Sequence, residues 1–299
     1  MSETASVLLP HHRATTVRSH LAAIEAVIAA MRSRPEAPLD LAEMAELAGL
    51  SRFHLDRVFR EITGISPRKF QTSLRLNRAM RLLLTSDRDV TDVCFDVGYE
   101  SLGSFVTRFT NSFGLSPQRL RSLSEQLNQP WGDWLNESAL SQLFEHSPEP
   151  LSIRGKVISP AAFFGLIFTG IFPARIPLGP PVACSVTRQA GPFAIGAVPP
   201  GVGHLLAVGI PWSERPLDFL INEQTMRGAL EQPIDPATMK DEVEITLRPP
   251  QPLDPPINIA LPFLIVLRLL KLSEVPLRVS IVQLHSQMRE GKRTIRDVR

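Results

Sequence analysis

The residues best placed to do chemistry in this sequence are basic. Between Arg52 and Arg81 lie Arg52, Arg57, Arg60, Arg68, Lys69, Arg75, Arg78 and Arg81, against only Asp56 and Glu61. Such a local excess suits docking on phosphate, although a solvated helix face gives the same pattern and the whole chain carries only +2. Arg75 and Arg78 read equally well as intramolecular partners of acids such as Asp92 or Asp96. Catalytic chemistry finds little support. The sequence holds no Gly-x-Ser-x-Gly, no Walker loop, no His-Glu-x-x-His and no Gly-x-Gly-x-x-Gly. Its histidines are scattered apart from His11-His12; His204 beside Gly203 reads as a strand-end residue and Cys184 as a strand residue, not a nucleophile. Asp254-Pro255-Pro256 reads as a rigid turn. The expectation is a protein that is not an enzyme and has no cofactor and no metal.

Composition sets the outer bounds. Hydrophobic residues make up 43% and charged residues 21% of 299 positions, which excludes wholesale disorder and leaves room for two domains. Cys94 and Cys184 lie in apolar stretches without a C-x-x-C, and read as buried thiols in a reducing compartment. No charged start followed by an apolar run marks a secretion signal. The longest apolar runs, Ala161–Phe172 and Ile257–Leu267, fall short of the roughly 18–20 residues of a membrane span. A soluble cytoplasmic protein with no membrane partner is expected.

The elements that must position the basic residues are helices. Leu21, Ile24, Val27, Ile28 and Met31 recur at helical spacing, with residues 1–16 before them read as a flexible terminus. Asp40 and Glu43 resemble a capping box opening a helix at Leu41, with a turn at Gly49. Ser51 caps a helix to about Thr63, ended by Gly64, and Ser66-Pro67 opens a longer one to about Leu84. Asp89 then caps a helix to Val97, Gly98 turns, Ser101 opens a helix to Ser112, Gly114 stops it, and Ser116-Pro117 starts the next.

This is an internal duplication. At an offset of 50, Ser51/Ser101, Leu55/Phe105, Phe59/Phe109, Gly64/Gly114, Ser66/Ser116 and Pro67/Pro117 coincide. Two helix–turn–helix units in one chain can read major-groove segments about 34 Å apart, because the second helix of each unit fits the groove where base edges carry a unique donor and acceptor pattern. The helix between them would measure about 26 Å at 1.5 Å per residue.

The stretch from about Ala22 to Arg121 resembles the AraC/XylS family of bacterial transcription regulators. The resemblance rests on Leu41-Ala42-x-x-Ala45-x-x-Ala48-Gly49-Leu50-Ser51, on Leu55-x-Arg57-x-Phe59 and on Gly64-x-Ser66-Pro67. It continues through Phe70, Arg75, Arg78-Ala79 and Leu82-Leu83 to Val97-Gly98-Tyr99-x-Ser101, Phe105, Phe109 and Gly114-Leu115-Ser116-Pro117-x-x-Leu120-Arg121. Leu120 stands where an aromatic is usual.

The resemblance implies roles. Base reading by the first reader helix falls to Arg52, Phe53, His54, Asp56 and Arg57. Arg57 would make the bidentate contact to guanine that its planar fork suits, and Asp56 would accept from cytosine or merely hold Arg57. Phe53 is either a groove contact or a core aromatic; Leu55, Val58 and Phe59 already supply a buried face. In the second reader helix the matching positions are Leu102, Gly103, Val106 and Thr107, which can touch a thymine methyl but offer almost no hydrogen-bond readout. Phosphate anchoring falls to Ser51, Ser101 and the helix starts at Ser66-Pro67 and Ser116-Pro117, flanked by Arg68, Lys69, Gln118 and Arg119. The first motif is thus expected to carry most of the specificity.

The second half has a different texture. Residues 123–150 are polar and read as a linker, with one short helix around Trp134–Phe144. Leu151–Val157, Phe163–Phe172, Val182–Val186, Pro192–Ile195, His204–Ile210 and Val243–Leu247 read as strands. Phe219–Gln232 and Pro262–Leu272 read as helices, and residues 273–299 as a basic tail. The segment Phe163–Phe168 is apolar on both faces and is expected to be buried. In this family the DNA-binding part usually comes last; here it comes first. Leu151–Ile210 weakly resembles carboxypeptidase-regulatory or transthyretin-like β-sandwich domains, through Gly155-Lys156-Val157, Gly191-Pro192-Phe193-Ala194-Ile195 and Val198-Pro199-Pro200-Gly201, with Gly203-His204 where those domains carry a tyrosine.

The sequence therefore predicts an α + β multidomain protein: an all-α double helix–turn–helix domain over residues 17–122 and a mainly β, sandwich-like domain over residues 151–272. The function expected is that of a sequence-specific regulator binding double-stranded DNA. The β domain would sense a small-molecule effector, or bind RNA polymerase or another copy of the chain; the oligomeric state is left open. The alternative is an architectural nucleic-acid-binding protein without sequence choice, or a constitutive DNA-binding module whose second domain serves only for assembly.

Overall fold

Serine caps and left-handed glycines divide the first half into helices. A computed structural model describes residues 8–131 and 151–270, apart from 161, 178–180, 197, 199–200, 236–237 and 240–241. The helices are α1 (Leu8–Ser33), α2 (Leu41–Ala48), α3 (Arg52–Thr63), α4 (Pro67–Thr85), α5 (Val90–Asp96), α6 (Leu102–Phe113), α7 (Pro117–Ser122) and α8 (Ser124–Leu127). Asp40 forms the full capping box with Glu43, its side chain accepting from the amides of Ala42 and Glu43. Ser51, Ser66, Ser101 and Ser116 each accept from the amide three residues on. Gly49, Gly64, Gly98 and Gly114 turn the chain at φ between 63° and 81°.

Each duplicated unit packs its own apolar face. In the first lobe, Ile24, Val27 and Met31 of α1 meet Leu55 and Phe59 of α3 and Phe70 of α4. In the second, Val93, Phe105, Phe109, Phe113 and Leu120 close against Leu76, Ala79 and Leu83 of α4. Helix α4 is shared by both lobes and, at 19 residues, spans about 28 Å.

The second half contains β1 (Leu151–Ile158), β2 (Gly165–Phe172), β3 (Ala183–Thr187), β4 (Gly191–Gly196), β5 (His204–Pro211), α9 (Pro216–Leu220), β6 (Met226–Ala229), β7 (Val243–Thr246) and α10 (Leu261–Leu269). They form a three-stranded sheet in the order β4-β1-β7 and a four-stranded sheet in the order β3-β2-β5-β6. Pairing is antiparallel except between β1 and β7. The period-two alternation of β2 and β5 explains the layering. Ile167, Ile171, Leu205 and Ala207 face the smaller sheet across a core that includes Ile153, Phe193, Ile195 and Ile245. Leu166, Phe168, Leu206 and Val208 face the other way and join the core of the second helical lobe through α10, where the rings of Phe113 and Phe263 lie 5.5 Å apart. The larger sheet is a middle layer, covered on both faces.

Several expectations need correction. The supposed flexible terminus is partly helical, since α1 begins at Leu8. The stretch after residue 122 is not a linker at its start: Leu123, Leu127 and Trp131 are buried at helical spacing, and the indole of Trp131 donates to the Ser213 carbonyl at 2.9 Å and packs against Trp212 and Phe219. The helix expected over Phe219–Gln232 is instead the end of α9, a turn and strand β6, because Met226–Ala229 pairs with β5. Phe163–Phe168 is buried only in part, for Phe164 is exposed. The expected helix around Trp134–Phe144 and the basic tail 273–299 lie outside the described residues.

Candidate nucleic-acid interface

The outward side of α3 is built by subtraction. Leu55, Val58 and Phe59 turn into the core, so Arg52, Phe53, Arg57 and Arg60 face solvent. Phe53 is 92% exposed, which excludes the core-aromatic reading. An exposed ring at the start of a capped helix supports no core and is free to make contact.

The charges on α3 are held loosely. Arg57 pairs with Glu61 at 3.1 Å and Arg60 with Asp56 at 2.7 Å, both one turn apart. Asp56 thus holds Arg60, not Arg57 as the sequence suggested. Such surface pairs contribute about 0.3–0.5 kcal/mol, against about 1–3 kcal/mol for a bidentate arginine–guanine contact, so a base can take Arg57 from Glu61. His54 stands apart from this group. Its ring packs edge-on against His20 of α1 with centroids 5.1 Å apart, and its Nε2 is buried without a partner.

On α6, Leu102, Gly103 and Thr107 are exposed, while Val106 is half-buried against the core. The Thr107 hydroxyl donates back to the Gly103 carbonyl at 2.9 Å, so Leu102, Gly103 and Thr107 together offer no free side-chain donor. Arg108 is also exposed here; sequence reasoning missed it because its counterpart in the first unit is the buried Val58. Arg60, named in the basic stretch but given no base-reading role, shares this face through its helical spacing from Phe53 and Arg57.

The phosphate-anchoring positions fare unevenly. Arg68, Lys69, Gln118 and Arg119 are exposed beside the starts of α4 and α7, as are Ser51 and Ser101 at the starts of α3 and α6. The proline at each of the α4 and α7 starts has no N–H, and the Ser66 and Ser116 hydroxyls already accept from Lys69 and Arg119. Only the amides of Arg68 and Gln118 remain of the free set expected there.

Arg75 is not paired with Asp92 or Asp96. Its Nε donates to the Val97 carbonyl at 2.5 Å and its guanidinium lies 4.1 Å from the centroid of the Tyr99 ring, so it clamps the turn of the second unit. Burial pushes its pKa down, a shift partly opposed by Tyr99. Asp96 pairs instead with Arg88, and Arg78 is exposed.

A family model described as a helix-turn-helix domain matches residues 44–122. The HTH-type transcriptional regulator GlxA of Rhizobium meliloti is 37% identical over 102 residues, covering 34% of this chain and 32% of that protein. A crystal structure of an AraC-type DNA-binding domain-containing transcriptional regulator from Chromobacterium violaceum is 28% identical, covers 36% of this chain and 95% of that one, and gives a TM-score of 0.34. Residues 44–122 are a helix-turn-helix domain, similar to those of AraC-type regulators. The DNA-binding domain of AdpA, solved with a target DNA, is 30% identical over 35% of this chain and 95% of that one, with a TM-score of 0.34. The chain spans about a third of the length of the curated relatives it matches.

The β domain leaves the outward faces of the helix-turn-helix domain open. It meets α1 at Arg32, the first-lobe core through Ile176, the turn after α3 at Gly64, α4 at Ser73, Asn77 and Arg81, and α6 at Phe113, its last residue. None of these is a groove-facing position. Among the described residues no His, Cys, Asp or Glu cluster could hold a metal ion, and no helix is long and apolar enough to cross a membrane.

Proposed function

We propose that the chain is a sequence-specific, double-stranded-DNA-binding regulator of transcription acting in the cytoplasm, in which α3 and α6 enter successive major-groove segments. The observation that carries this reading is the open face of α3, where Phe53 and Arg57 stand in solvent while the β domain docks elsewhere. Arg57 reads guanine, Arg52 and Phe53 flank it, and Arg60 is available to the same groove. His54 acts through packing on α1. Leu102, Gly103 and Thr107 make apolar contacts only, so α6 mainly sets register. Arg68, Lys69, Gln118 and Arg119, with Ser51 and Ser101, hold phosphates and fix position without reading sequence. The β domain is a sensor or a docking module for RNA polymerase, not a catalytic unit.

The test is selection of binding sites from random duplex DNA with the full chain at about physiological salt. The expected result is one strong half-site and one weak half-site, one helical turn apart. Arg57→Ala should abolish discrimination at one base pair at a cost of about 1–3 kcal/mol, while Val106→Ala should change little. Binding without any recovered motif would favour the architectural alternative, and equal effects of the two substitutions would overturn the asymmetry.

A further inference from the structure

Between α4 and the β domain lies a cavity of about 410 Å³. Leu74 and Met80 of α4 form one wall; Ile210, Ile221, Ile257 and Phe263 form the other. Arg32, Arg81 and Arg227 reach it from three elements, with Asn77 beside them. Its size suits a small molecule, and its lining pairs an apolar wall with a comparable share of polar and charged groups.

The charges show what kind of molecule fits. Two acids line the cavity, Glu223 and Asp254. Both Asp254 oxygens are taken by Arg248 at 2.8 Å, and one also accepts from the Gln251 amide at 2.7 Å. Burial would raise its pKa, but these bonds hold it below the usual carboxylate value. Glu223 is well exposed and pairs with Arg81 at 3.2 Å. Arg227 is paired only loosely: its Nη1 donates to the Pro255 carbonyl at 2.5 Å, its Nε is buried without a hydrogen bond, and its ion-pair partner Asp254 stands 3.8 Å away. Burial pushes its pKa down to about 10, so it stays charged at neutral pH. Arg32 reaches only the carbonyls of Pro252 and Asp254. A half-buried guanidinium on the wall of a cavity, with its carboxylate partner 3.8 Å away, attracts a further anion, and its fork suits a planar carboxylate.

We propose that this cavity binds a small carboxylic acid with an apolar body, held by Arg227 with Arg32 and Arg81, and that the bound acid fastens α4 to the β domain. The acid would touch residues of both halves, so it favours the docked arrangement of the helix that spaces the two reader units. By linkage, its binding and DNA binding must then alter each other by the same factor. The regulatory consequence rests on the regulator reading above; the binding chemistry does not.

The experiment uses the full chain with hexanoate, octanoate and phenylacetate as probes, and hexanol and phenethyl alcohol as controls. Thermal melting and ligand-observed NMR report binding. A probe at a hundredfold excess over its Kd should raise Tm by about 5–10 °C, the alcohols should not, and Arg227→Leu should abolish the shift. Because Arg227→Leu removes a buried group, Arg81→Gln at the rim serves as the second variant, with at least a tenfold loss of affinity expected. No saturable binding by any acid, equal binding of the alcohols, or acid binding untouched by Arg81→Gln would overturn the proposal. An acid that binds the cavity yet leaves DNA affinity unchanged overturns the regulatory half alone. A chain that binds no DNA with or without acid overturns the regulator reading and leaves the cavity chemistry standing.

Discussion

Asn258 is fully buried, and its amide ties the two halves together: Nδ2 donates to the Ser73 carbonyl at 2.8 Å and Oδ1 accepts from Asn77 Nδ2 at 3.1 Å. Asn258→Ala removes both bonds, each worth about 1 kcal/mol net, and leaves a space at the α4 junction that adds about another 1 kcal/mol, for a loss of about 2–4 kcal/mol. Asn258→Asp keeps the shape but points a carboxylate at the Ser73 carbonyl. Only the protonated acid can restore that donor, so its pKa in the folded state must lie above its unfolded value of about 3.9. The folded variant then binds more protons than the unfolded chain. Its stability is greatest at low pH and is lost as pH rises through the raised pKa. Urea unfolding followed by tryptophan fluorescence is the assay, with Trp131 and Trp212 packed at the junction as reporters. A single transition at lower urea is expected for Asn258→Ala. Relative to it, Asn258→Asp should gain stability between pH 7 and pH 5. A loss below about 0.5 kcal/mol for the alanine variant, or parallel pH profiles for the two, would refute the reasoning.

Other predictions follow from local geometry. Gly98→Ala should cost well over 2 kcal/mol in chemical denaturation, because φ is 77° and the added Cβ would sit 2.6 Å from the Glu36 carbonyl oxygen; Gly49→Ala at φ 63°, with open space around it, should cost about 1 kcal/mol. Phe53→Ser should leave Tm unchanged while weakening DNA binding in a mobility-shift titration, since its ring is exposed and supports no core. Burial pushes the Cys94 thiol up and the Cys184 thiol up to about 12, so neither should react with a disulfide reagent in the native protein at pH 8, and both should react once it is unfolded in urea.

Much of the helical half is legible in the sequence because its signals are local. A serine cap, a left-handed glycine and a proline in the first turn each act within four residues, and their repetition at an offset of 50 marks the duplication. Leu123, Leu127 and Trp131 were hidden by the polar residues between them, although their four-residue spacing was there to read. Strand β6 was misread as helix because its identity comes from pairing with β5, a partner its own residues do not name. At the candidate interface, the types and positions of Arg57 and Phe53 were readable, but not the Arg60–Asp56 pairing or the turn of His54 toward α1. The cavity was beyond reach altogether: Arg32, Arg81, Arg227 and Asp254 come together only through tertiary packing.

The shared core also orders the birth of the protein. Most of the first lobe's core lies between Ile24 and Phe70, so that lobe can close early as the chain leaves the ribosome. The second lobe is completed later, because Phe113 and its neighbours share a core with Phe168, Val208 and Phe263, which are made much later. Until α10 emerges, the side of Phe113 that meets Phe263 lacks its cover. A fragment cut after residue 122 would carry that exposure permanently. The half that resembles a portable module is, in the order of its making, finished by residues from the other half.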